Sequence, residues 1–133
     1  MQLLAISDLH LSQTSNKEAL IKMADHRDDW LIIGGDTSEK PELHEFAFKE
    51  LSKRFDRLIW VPGNHDLWTF DSKSKYAKRG VEKYNMLVEI ARSFGVITPE
   101  DPFLEWPVKS GNDAESLFIA PLFLLYDYSF RPK

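Results

Sequence analysis

Three short stretches hold residues whose types could do chemistry together. Asp8-Leu9-His10 offers a carboxylate and an imidazole two positions apart, and Gly34-Gly35-Asp36 offers a carboxylate behind paired glycines. Pro62-Gly63-Asn64-His65-Asp66 sets a side-chain amide, an imidazole and a carboxylate on consecutive positions. Carboxylate, amide and imidazole donors form a mixed nitrogen-oxygen set, which suits Mn, Fe, Zn or Co better than Ca. The sequence has no cysteine, so disulfides, thiolate ligands and a cysteine nucleophile are excluded. Each stretch alone also has a plain structural explanation, because Pro, Gly, Asn and Asp form turns for local backbone reasons.

Position along the chain separates the two explanations. Each stretch follows an apolar run of strand length: Leu3 to Ile6, Trp30 to Ile33, and Leu58 to Val61. Continuous apolar runs suit parallel strands covered on both faces. Helical patterns lie between them. Ser15-Asn16-Lys17-Glu18 has capping-box spacing and leads into an apolar face of Leu20, Ile21 and Ala24. Pro41 opens a second helix in which Leu43, Ala47, Leu51 and Phe55 recur every four positions. Val81, Tyr84, Leu87, Val88, Ala91 and Phe94 mark a third, stopped at Gly95. Val96-Ile97-Thr98 reads as a short fourth strand, and residues 103–108 and 117–120 flank a turn at 109–113 as a C-terminal β-hairpin.

Strands alternating with helices predict an α/β fold with a mostly parallel sheet and right-handed crossovers. In such open sheets ligands bind beyond the carboxyl ends of the strands, where all three stretches fall. Turn chemistry does not predict that agreement, and it assigns the stretches to one site. On extended backbone Asp8 and His10 point the same way while Leu9 faces the core. Asp36, central among the loops, is the candidate to bridge two ions. Metals about 4 Å apart can share a hydroxide and clamp the oxygens of an in-line displacement at phosphorus. His65 is the candidate to protonate the leaving oxygen or to stabilise the developing charge, with Asp66 holding its imidazole in orientation.

The other notable residues read plainly. His26, beside Asp25, Asp28 and Asp29, is expected at a solvated helix end, and His44 on the surface of the second helix. Lys73, Lys75, Lys78, Arg79 and Lys83 are expected on a solvated helix face, the alternative being that they steer an anionic substrate. Trp68 and Phe70 are expected to pack under the loop, or else to flank a ligand.

At 133 residues, 43% hydrophobic and 29% charged, the chain suits one soluble globular domain with a real core. A net charge of −4 gives no support for nucleic-acid binding. No signal peptide is visible and no apolar run is long enough to span a bilayer, so no membrane partner is expected and a cytoplasmic location is.

Asp8-x-His10, Gly35-Asp36 and Gly63-Asn64-His65-Asp66, in this order after successive strands, resemble the calcineurin-like metallophosphoesterase family. The resemblance implies a four-layer α/β/β/α sandwich with a dinuclear centre of divalent transition metals and hydrolysis of a phosphate mono- or diester. By motif position it implies Asp8 and His10 on the first metal, Asp36 bridging, Asn64 on the second, and His65 as the catalytic histidine with Asp66 behind it. Family members carry further metal histidines downstream, including a Gly-His-x-His pair, whereas no histidine follows His65 here. The expectation is therefore a single, incomplete domain over residues 1–133, the N-terminal half of such an enzyme. It would be completed by another segment or chain, or would persist as a non-catalytic fragment holding one metal or none. The apolar segment from Leu117 to Tyr126 is then expected to drive self-association or to meet the complementing half.

Overall fold

The computed structural model describes residues 1–70, 77–107 and 116–124. Lys73, Lys75, the turn at 109–113, Val108, Leu125 and Tyr126 lie outside them. Parallel strands β1 (Leu3–Ile6), β2 (His26–Ile33) and β3 (Phe55–Trp60) lie in the order β1-β2-β3. Helices α1 (Thr14–Ile21) and α2 (Pro41–Leu51) connect them, and α3 (Gly80–Ser93) follows β3. Two right-handed crossovers stepping the same way across a sheet put both helices on one face.

The register shows which face that is. Leu4, Leu31 and Leu58 stand abreast, as do Ile6, Ile33 and Trp60. All six belong to, or pack against, the core built with Leu43, Ala47, Phe48 and Leu51 of α2 and Leu87, Val88 and Ala91 of α3. The opposite face is also apolar, with Leu3 beside Trp30 and Ala5 beside Ile32. It is only partly covered. The antiparallel hairpin of β4 (Leu104–Trp106) and β5 (Leu117–Ile119) brings Trp106 edge-on to Trp30 at 5.2 Å, while Leu3 and Ala5 remain exposed.

Several boundaries differ from the sequence expectation. The capping box is not used: α1 has no side-chain cap, Ser15 bonds Asn16, and Ala24 lies past the helix end. Asn16 instead donates from Nδ2 to the Leu9 carbonyl at 2.8 Å, tying α1 to the loop after β1. His26 is not at a helix end but opens β2, where it bonds Asp29 at 3.0 Å and stacks on Phe55. Phe55 itself belongs to β3 rather than to α2. The expected fourth strand is reduced to a parallel bridge from Ile97 to Ile59, with Trp60 N–H donating to the Ile97 carbonyl at 2.8 Å.

Candidate metal centre

Backbone bonding brings the three strand-end loops together before any side chain acts. Past the end of β1, Asp8 N–H donates to the Gly35 carbonyl, His10 N–H to that of Asp36, and Leu11 N–H to that of Thr37. The loop after β1 thus stays zipped to the loop after β2. The loop after β3 approaches from the other side. A Cβ on Gly35 would lie 2.2 Å from the Gly63 nitrogen, and one on Gly63 would lie 2.2 Å from Asp36 Oδ1. No real Cβ sits at such distances, so glycine is required at both positions. Gly35 also has a φ of +84°, which glycine adopts freely.

Asp66 locks the same junction from beneath. Its fully buried carboxylate accepts N–H bonds from Asp36 (3.0 Å), Ser38 (3.1 Å) and Gly63 (2.8 Å). His44 Nε2 supplies a fourth contact at 3.0 Å. This corrects two expectations. His44 is not a surface residue but a buried partner on α2, packed near Phe48 and Trp60. Asp66 bonds backbone and His44, and among the described residues its carboxylate makes no hydrogen bond to the His65 ring. A buried carboxylate needs its oxygens satisfied, and inward-facing N–H groups satisfy them here.

Among the described residues, Lys83 is the other buried charge. It is not on a solvated face: its Nζ donates to the carbonyls of Glu39, at 2.8 Å, and of Trp68. It thereby pins α3 to the loops on either side of the site. Burial pulls its pKa below the ordinary lysine value, a shift opposed by Asp66, Glu39 and Glu42.

Above this floor Asp8, His10 and Asp36 each offer a donor atom within 4.8 Å of the others. Their convergence does not come from extended backbone. Asp8 (φ 56°), His10 (φ 41°) and Asp36 (φ 52°) are left-handed, and among the described residues they are the only non-glycine positions with positive φ. Such conformations carry strain and cluster where a site requires them. Asn64 is exposed and lines, with Asp8, Asp36, Gly63, Leu67 and Phe123, a cavity of about 230 Å³. His65 donates its backbone N–H to Asp36 Oδ1 at 2.9 Å. Its ring stands edge-on to His10 at 4.9 Å and lies against Trp68 at 3.7 Å. Among the described residues that ring makes no hydrogen bond, so its nitrogens remain available to a ligand.

These donors fit a divalent transition metal: two carboxylates and one imidazole converge, and Asn64 opens on the same cavity. The fold and the strand-end donor cluster together define a class. The chain belongs to the calcineurin-like phosphoesterase family, whose model matches residues 1–121. It is 41% identical over 130 residues to the acyl-carrier-protein phosphodiesterase PptH of Mycobacterium tuberculosis (strain ATCC 25618 / H37Rv), covering 97% of this chain and 39% of that protein. The crystal structure of phosphopantetheinyl hydrolase (PptH) from Mycobacterium tuberculosis superposes with a TM-score of 0.87 at 40% identity, over 99% of this chain and 46% of that one. The chain therefore spans less than half the length of the relatives it matches. Among the described residues, no helix is long and apolar enough to cross a membrane.

Proposed function

We propose that this chain carries the substrate-facing metal site of a metal-dependent phosphoesterase, with a phosphodiester as its substrate and the cytoplasm as its place of action. The observation that supports this most is the clustering of Asp8, His10 and Asp36 beside the His65 ring, which makes no hydrogen bond among the described residues. Asp8, His10 and Asp36 would hold the first divalent metal, and Asp36 and Asn64 would contribute to a second. When bound, such metals supply Lewis acidity toward phosphoryl oxygens and lower the pKa of water for attack. The reaction joins a water oxygen to phosphorus as the bond from phosphorus to the leaving oxygen breaks. The leaving oxygen needs a proton, and His65 would be the residue to deliver it. Asp36 fixes the His65 backbone through the 2.9 Å bond, so the same residue would set both metal and acid. PptH, a phosphodiesterase by name, supports a diester over a monoester.

A second reading, a binding module with one metal or none, is favoured by the ligand supply. No histidine follows His65, which leaves the second position only Asp36 and Asn64 from this chain. Metal content and hydrolysis decide together. About two ions per completed site after Mn loading, with cleavage of bis(4-nitrophenyl) phosphate lost in Asp36→Asn and lowered at least about a hundredfold in His65→Ala, fits the enzyme. One ion or none, without metal-dependent cleavage, fits the module.

A further inference from the structure

Beside the donor cluster two large aromatic rings stand in water. Trp68 is 43% exposed and Phe70 is 74% exposed. They meet edge to face at 5.8 Å and, with Leu67, Thr69 and Arg79, line a recess of about 510 Å³. A single exposed apolar side chain is ordinary, whereas an adjacent pair around a recess marks a surface made for contact. The recess is continuous with the site. Leu67 lines both it and the donor cavity, and the Trp68 ring lies against the His65 ring. Among the described residues no carboxylate pairs with the Arg79 guanidinium.

From this geometry we propose that the recess is the subsite for the organic part of the phosphate ester, and that it takes a flat, uncharged group such as an aryl ring or an amide plane. The inference rests on the phosphoesterase reading and specifies which esters it favours. Indole and phenyl faces gain contact area from planar partners. Arg79 has donors only and would add a bond where the group carries an acceptor oxygen, as an amide plane does. A short aliphatic ester would leave both rings wet and gain nothing from them. The recess is also larger than a phosphate group needs, and it falls in the size range of small-molecule sites. On this proposal Trp68 and Phe70 flank a ligand, the alternative to packing under the loop that the sequence left open.

Diphenyl phosphate and dimethyl phosphate, titrated into the full chain and followed by NMR, test this without requiring turnover. Diphenyl phosphate is expected to bind about tenfold more tightly. Phe70→Ser, which removes the more exposed ring and is expected to leave the fold intact because that ring is 74% exposed, is expected to cut that preference to about threefold or less. Equal affinity for the two probes would overturn the proposal, as would a preference undiminished in the Trp68→Leu/Phe70→Ser double variant with an unchanged circular dichroism spectrum. A retained aryl preference in a chain that shows no metal-dependent hydrolysis leaves the subsite standing and removes only the catalytic reading.

Discussion

At the scale of single residues, the buried pair of Asp66 and His44 shows where sequence reasoning stopped. Asp66 was visible as part of the loop after β3, but its partners were not. Beyond the local bond from Gly63, its acceptors meet the N–H groups of Asp36 and Ser38, 30 and 28 positions away in the chain, and no local pattern announces such contacts. His44 was missed because one polar residue on an amphipathic helix is ordinarily solvated, and only the packing of α2 against β3 buries it. Asp66→Ala would leave three inward N–H groups and a histidine without an acceptor, and is expected to cost about 3–5 kcal/mol in urea unfolding. His44→Ala leaves Asp66 its three N–H bonds, so a loss of about 1–3 kcal/mol is expected by the same measurement. A smaller effect for Asp66 than for His44 would contradict this ordering.

At the scale of elements, strand ends and loops were the legible part. The three apolar runs, the helical patterns between them and the glycines ahead of Asp36 and Asn64 placed the motifs at one edge of a sheet. What periodicity could not supply was the handedness of the loop backbone. Asp8 and His10 converge through left-handed φ angles and bonds to Gly35 and Asp36, not through strand alternation. Contact between the loops after β2 and β3 is close enough that Gly35→Ala or Gly63→Ala is expected to destabilise by about 3 kcal/mol or more, read from thermal unfolding. The connection after α3 makes a milder prediction. Burial pushes the Asp101 carboxyl up, but hydrogen bonds from Thr98 and Arg92 outweigh it and hold the group below its ordinary value of 3.8. Its contribution is fully present above that unfolded value and is lost as pH falls toward the depressed folded one. Asp101→Asn should therefore flatten the acid limb of a plot of stability against pH, while leaving the neutral-pH slope unchanged.

At the scale of the whole molecule, the sheet has one well-packed face and one that the described residues cover poorly. Like Leu3, the side chains of Leu117, Phe118, Leu122 and Leu124 are exposed, the last four by more than half. Sedimentation of the 133-residue chain is expected to show association that rises with concentration. Phe118→Lys combined with Leu124→Glu is expected to return it toward monomer, and a wild-type chain that stays monomeric throughout would refute the expectation. Divalent metal should also raise the melting temperature, because a ligand bound only by the folded state stabilises it. That rise is expected to vanish in Asp36→Asn.

The left-handed backbone at residues 8, 10 and 36 carries an evolutionary corollary. Glycine would relax each of these positions, so a laboratory screen rewarding heat resistance alone should drift toward His10→Gly or Asp8→Gly, gaining about 1 kcal/mol per change while giving up a donor. In metal-free medium, thermal robustness and ion capture pull this sequence in opposite directions at the same three codons.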